Sequence, residues 1–313
     1  AGGVMMTQSG ARTYELQALT DIWTGDVNGK ASRLIPTGLL GSIRWWFEVL
    51  VRGLGGAPCD PSSKQKTCSA EHHCVVCELF GCTGWARKFH FDVRDQEGEI
   101  IAKQLKKGEM SMSFHLYFAP LRKVAKKEWA LLQLTLRLIS EFGALGGKTA
   151  LKPSNQNNKT QHADFGIVKL VTTPTIEFTR QQLESYVREA KVKPTVDAAE
   201  WASCRHMWFV DGRYLTRTSD SESSFNKMLG RPEAKSESSS SAGDPWLAGG
   251  RGESKKIFSF KSPARTFGFV QHRSEFDQVR DELRVIWRMP ETNDWFVSGD
   301  MLIDRLFSKE GAA

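Results

Sequence analysis

Long hydrophobic runs are missing from this 313-residue chain. No apolar stretch approaches the roughly 20 residues of a membrane-spanning helix, which argues against a helical membrane protein. The N-terminus lacks a basic region followed by an apolar one, so no secretory signal and a cytoplasmic location are expected. The P-loop pattern G-x4-G-K-[ST] is missing too. Gly143 to Thr149 comes nearest, but the pattern needs glycine at 142, where Phe142 stands, and a helix rather than a strand precedes it. ATP binding is therefore disfavoured. No His-Glu-x-x-His, no Ser-His-Asp order and no paired-carboxylate spacing stands out. Asp21, Asp26 and Asp92 could serve as general bases, but nothing selects them. Cysteine is scarce outside one segment: of six, five lie between Cys59 and Cys82, and Cys204 stands alone. A secreted disulfide protein spreads its cysteines through a short chain, whereas this clustering reads as an intracellular metal site.

What is present starts with a net charge of +7, which fits a polyanionic partner, though a solvated lysine-rich surface would give the same sum. The length predicts two domains. Leu34 to Phe89 is the stretch around which the chain is organised. After Pro36-Thr37-Gly38, apolar residues recur at Leu39, Leu40, Ile43, Phe47, Leu50, Val51 and Leu54, the spacing of a helix with one apolar face. Arg44, Glu48 and Arg52 share another face with alternating charge. Gly53, Gly55 and Gly56 are expected to end the helix. Trp45 and Trp46 are adjacent and cannot both enter the core.

Strands are expected at Thr13–Leu19, Phe89–Val93, Ser111–Phe118 and Phe165–Val171, with a second long helix from Lys123 to Phe142. The order β-α-β-β-α-β is the ferredoxin-like motif, a four-stranded antiparallel sheet with helices on one face. Further strands are expected at Thr175–Phe178, Met207–Val210, Ile257–Lys261 and Arg265–Val270, and helices at Arg180–Ala190, Glu275–Trp287 and Phe296–Phe307. The reading is α+β with two ferredoxin-like (RRM-like) domains. Residues 5–171 form the first, with a cysteine-rich insertion at 55–86. Residues 172–313 form a degenerate second, with a Ser/Gly-rich mobile loop at 219–255.

Cys74-Val75-Val76-Cys77 is a C-x2-C knuckle, half of a tetrahedral zinc site. Cys59 and Cys68 would supply the other thiolates, with Cys82, His72 and His73 as competitors. Four thiolates leave no open position, so such a zinc is structural rather than catalytic. Gly143 to Thr149 is glycine-rich and could cradle phosphate with backbone N–H groups, or simply cap a helix. Lys148, Lys152 and Lys159 favour a phosphate backbone as its ligand. Lys103, Lys106 and Lys107, and Arg122, Lys123, Lys126 and Lys127, form basic clusters that read first as solvated faces.

Together, T-G-L-L-G-S-I-R-W-W-F-E-V-L-V-R-G-L-G-G, C-D-P and C-x2-C-E-L-F-G-C-T-G-W-A-R-K-F resemble the RAMP superfamily, as found in the Cmr complex (type III-B CRISPR–Cas). The G-A-L-G-G-K-T loop with a later F-G is similar to the family's glycine-rich signature, although Ala150 to Asp164 intervenes. In the second half only S-K-K-I-F-S-F-K-S, Ser254 to Ser262, resembles the family. The resemblance covers roughly the first 170 residues. It implies a non-catalytic RNA-binding subunit of a CRISPR-RNA-guided complex. Its partners would be guide RNA, single-stranded target RNA and other RAMP subunits, with no membrane. Carried over by motif, Arg33, Thr37, Arg44, Trp45, Trp46, Arg52, Trp85, Arg87, Lys88, Gly146, Gly147, Lys148 and Lys152 would face RNA, by phosphate contact and by stacking on unpaired bases. The competing class is a metal-independent endoribonuclease, since some RAMP proteins process guide RNA. It would need a catalytic histidine or a Tyr-His-Lys set in the first half, and no such cluster stands out.

Overall fold

The computed structural model describes residues 10–26, 28–60, 68–106, 113–151, 153, 163–172, 175–189, 199–216, 223–230, 245–249 and 254–308. Strand β1 (Arg12–Ala18) alternates buried Tyr14, Leu16 and Ala18 with more exposed neighbours. Helix α1 (Pro36–Gly53) follows, and Pro36 presets its first turn. Its buried stripe of Leu39, Leu40, Ile43, Phe47 and Leu50 is the one its spacing predicts. Gly53 is the last residue of the helix, and its missing side chain also serves packing. A Cβ there would lie 2.7 Å from that of Cys204, so glycine is needed for close packing, and Gly55 takes the left-handed φ of +86° beyond the helix.

A short helix α2 (Val75–Phe80) belongs to the cysteine-rich insertion. Strands β2 (Phe89–Arg94) and β3 (Ser113–Pro120), helix α3 (Lys126–Phe142) and strand β4 (Val168–Leu170) complete the unit. The sheet order is β2-β3-β1-β4, all antiparallel, which is the ferredoxin-like arrangement. The fourth strand is shorter than Phe165–Val171. Gly166 has a φ of +86° and its carbonyl accepts the Leu145 N–H, so the chain joins the sheet only from Val168.

Helix α4 (Arg180–Arg188) leads to the second unit: β5 (Met207–Asp211), α5 (Ser224–Met228), α6 (Pro245–Ala248), β6 (Ile257–Lys261), β7 (Ala264–Phe269), α7 (Phe276–Trp287), β8 (Val297–Ser298) and α8 (Gly299–Phe307). Its order, β6-β7-β5-β8, repeats that of the first sheet. Three expectations are corrected. Thr175–Phe178 is not a strand. Phe296–Phe307 splits at Gly299 (φ +52°), because Val297 and Ser298 pair with Phe209 and Trp208 before the helix begins. The loop expected at 219–255 contains α5 and α6, which bury Phe225, Met228 and Ala248 in the second core; much of the remainder lies outside the described residues.

The two units share an apolar core. The rings of Phe142 and Phe209 meet edge-on at 5.1 Å, and those of Trp46 and Phe267 at 5.7 Å. Arg137 of α3, itself paired with Glu141 at 2.6 Å, donates to the carbonyls of Leu306 (2.9 Å) and Ser308 (2.6 Å) at the end of α8. A guanidinium satisfies carbonyls that a helix C-terminus leaves open.

Candidate nucleic-acid interface and metal centre

A groove of about 450 Å³ opens between the two units. Six aromatic rings line it: Trp23, Trp45, Trp46, Trp201, Phe258 and Phe267. Gly25, Gly38, Ser42, Gly146, Gly147, Thr149 and Lys255 complete much of the wall. On α1, Gly38, Ser42, Trp45 and Trp46 follow helical spacing and form one stripe that faces the groove. Trp46 is buried, and its Nε1–H donates to the Ala144 carbonyl at 2.8 Å. Trp45 stays half-buried and meets Trp46 edge-on at 4.8 Å. The adjacent tryptophans thus differ in burial, Trp46 buried and Trp45 half-buried, while both border the groove.

The glycine-rich loop does not use its N–H groups as a phosphate cradle. Leu145 N–H donates to the Gly166 carbonyl (2.7 Å), Gly146 N–H to Ser42 Oγ (3.0 Å) and Gly147 N–H to the Trp23 carbonyl (2.9 Å). The glycines make room for rings instead. A Cβ on Gly143 would lie 2.6 Å from Trp46, and one on Gly147 2.6 Å from Trp23. The F-G pair, Phe165-Gly166, does return to the loop, but through this internal bond. The outward group is Lys148, exposed at a φ of +57°, with Nζ 4.6 Å from the Trp23 ring centre. On the far wall, Lys255 Nζ donates to the Ala150 carbonyl at 3.2 Å.

Near the start of α1, a β-bridge sets Arg33 beside Lys103, both exposed. Like charges placed opposite one another are unfavourable unless an anion joins them. Thr37 is exposed in the first turn, which carries no acidic residue.

The other expected RNA contacts are committed elsewhere. Arg44 pairs with Glu48 (3.1 Å) and donates to the Gly81 carbonyl (2.8 Å) and to Cys77 Sγ (3.3 Å). Burial works against its charge, but Cys77 and Glu48 outweigh that and raise its pKa. Arg52 is buried and reaches the Ala202 carbonyl at 3.4 Å. Lys88 is buried between Glu78 and Glu128, the latter at 2.8 Å. Trp85 lies between His73, stacked at 4.6 Å, and the Arg122 guanidinium at 4.3 Å. Arg87 is half-buried, and Lys152 lies outside the described residues.

Cys59, Cys68, Cys74 and Cys77 bring their sulfurs within 4.8 Å of one another, a set that could hold a metal ion. The N–H groups of Cys59 and Cys74 point at the sulfurs of Cys74 (3.5 Å) and Cys68 (3.3 Å). Contacts to Cys59 and Cys77 hold the Cys74 thiol well below its ordinary pKa. N–H donors and the Arg44 charge beside the sulfurs are what a tetrathiolate metal needs around it. Cys82 lies outside the quartet and donates to the Ser69 carbonyl at 3.5 Å, while His73 is engaged by Glu78 and stacked on Trp85.

Trp201 and Phe267 were not legible as site residues. They are remote in sequence, and only the packing of the second unit on the first brings them to the groove.

Residues 15–151 match the family model of the RAMP superfamily. Among solved structures, the chain is similar to Cmr1 from Pyrococcus furiosus in its apo form, at 12% identity, 95% coverage of both chains and a TM-score of 0.42. It is also similar to a Csm3–Csm4 subcomplex of the type III-A CRISPR-Cas interference complex, at 15% identity over 42% of this chain and 66% of that one, with a TM-score of 0.24. No curated protein sequence matches the chain.

Proposed function

We propose that the chain is a non-catalytic RNA-binding subunit of a type III-B, CRISPR-RNA-guided complex, working beside other RAMP subunits on guide RNA and single-stranded target RNA. The groove carries this reading. In a family-matched unit, it presents the rings of Trp23 and Trp45, with Lys148 over the Trp23 ring and, ahead of α1, the exposed Arg33–Lys103 pair. Aromatic faces accept any unpaired base, and lysine and arginine hold the backbone beside it. Sequence would be read by guide pairing, as the division of labour in guided nucleases illustrates. Arg44, Arg52 and Lys88 serve the architecture on this reading and leave RNA contact to the groove.

Fluorescence anisotropy with a labelled single-stranded RNA tests it. Trp45→Ala is expected to weaken binding by about 1–3 kcal/mol, the range for loss of one stacked base. Unchanged binding by Trp45→Ala and Lys148→Ala would remove the groove from the interface. Incubation in EDTA separates the competing enzyme class, because a defined cleavage product would establish a metal-independent endoribonuclease. The metal proposed for the four cysteines is zinc, held structurally and away from the RNA.

A further inference from the structure

We infer that Arg265, in the second unit, is a positioning residue that sets the glycine-rich loop of the first unit for RNA. The inference rests on the RNA-binding reading above. Arg265 projects from β7 to the end of α3, where its Nη1 donates to the carbonyls of Ser140 (3.1 Å) and Gly143 (3.4 Å). Both are among the carbonyls that a helix C-terminus leaves without partners, and a cation there is favoured by the helix dipole. Gly143 opens the loop, and the next carbonyl, Ala144, is held by Trp46. Two side chains from different units therefore grip consecutive carbonyls just before Leu145, Gly146 and Gly147 make their own bonds. The loop is fixed at both ends, and Lys148 is the group it presents.

The setting of Arg265 argues for a specific task. Among the described residues no carboxylate forms an ion pair with it, and its buried Nε has no hydrogen-bond partner. Burial pulls its pKa down, and Asp211 on the neighbouring strand opposes this. A charge kept in such surroundings costs stability unless its bonds matter. Among the described residues, the side-chain hydrogen bonds of Arg265 both end on the lead-in to the loop. Arginine suits the position, because the two N–H groups of Nη1 reach both carbonyls and a delocalised guanidinium is more weakly hydrated than an ammonium, so it tolerates burial better.

The test is a double-mutant cycle on RNA affinity, using the full chain. Arg265→Met is expected to weaken single-stranded RNA binding about tenfold in the wild-type background, as expected for charge-assisted bonds. In a Lys148→Ala background the same change is expected to weaken it less than twofold, because the group being positioned is gone. The slope of log affinity against log salt should stay unchanged for Arg265→Lys, which keeps the charge and touches no phosphate. Equal effects of Arg265→Met in both backgrounds, or a lower melting temperature with unchanged affinity, would overturn the inference. Should Arg265→Met fail to fold, Arg265→Lys carries the same cycle with a smaller expected loss. A wild-type chain that binds no RNA would instead defeat the functional reading itself.

Discussion

Trp46 joins three parts of the molecule through one side chain. Its ring fills the space that a Cβ on Gly143 would need, its Nε1–H satisfies the Ala144 carbonyl, and its face meets Phe267 of the second unit. Trp46→Phe keeps most of the apolar area but leaves a buried carbonyl unpaired. It is expected to cost about 1–3 kcal/mol in urea-induced unfolding. Gly143→Ala presses a methyl into the ring from the other side, and overpacking of this kind costs about 1–3 kcal/mol as well. The two effects should not add, because each disturbs the same contact. The sequence shows that two neighbouring tryptophans must part company, and it shows a cluster of glycines. It does not show that the glycines serve the tryptophans. Glycine spacing looks the same whether the missing Cβ makes way for a phosphate or for an indole, and only the packed rings at Gly143 and Gly147 decide between them.

Helix α1 carries its functions on separate stripes. One stripe faces the groove, and on another Arg44, paired with Glu48, reaches the cysteine cluster. The cluster of four cysteines was legible from the C-x2-C spacing and two further cysteines just before it. The role of Arg44 was not, since alternating charge at four-residue spacing describes a solvated face equally well. The contact with Cys77 implies that Arg44 offsets the negative charge of a tetrathiolate centre. Elemental analysis is expected to find one zinc per chain, and Cys74→Ser is expected to lose it and loosen the insertion. Arg44→Met is expected to lower zinc retention about 10- to 100-fold in chelator competition, the range for outer groups around a metal. Equal zinc retention would show that Arg44 only braces the helix. A different element gives a pH signature. His206 ends the turn before β5, with Nδ1 3.2 Å from the Val270 carbonyl. Burial lowers its pKa, and the Val270 bond only partly opposes this. The folded state thus prefers neutral histidine. The stability this gives is present above the ordinary histidine value of about 6.5 and is lost as pH falls through the depressed one. The melting temperature is expected to drop between pH 7 and pH 5, and His206→Gln is expected to flatten that drop.

At the scale of the whole molecule, the second sheet repeats the strand order of the first with little help from sequence. Strands β5, β6 and β7 were legible from their alternation. The crossover between β5 and β6 was not, because among its described residues the helices are short, and neither α5 nor α6 is long enough to show a helical period. The groove depends on this second unit, since Trp201, Phe258 and Phe267 supply half of its aromatic wall. That geometry makes a prediction about the kind of nucleic acid bound. A space of about 450 Å³ between aromatic faces suits unpaired bases and excludes a duplex, whose bases are stacked on one another. Single-stranded RNA should therefore bind much more tightly than the same strand annealed to its complement. The ammonium of Lys148 over the Trp23 ring predicts that log affinity falls linearly with log salt concentration, and Lys148→Ala should reduce the steepness of that fall by about one unit if it neutralises one phosphate. Trp45→Ala should weaken binding at every salt concentration and leave the slope alone, since a stacked ring releases no counterion. A titration series from low to high salt on these two variants separates the parts. Parallel lines for wild type and Lys148→Ala would mean that Lys148 stays on the Trp23 ring when RNA is bound, and that the backbone passes nearer to Arg33 and Lys103.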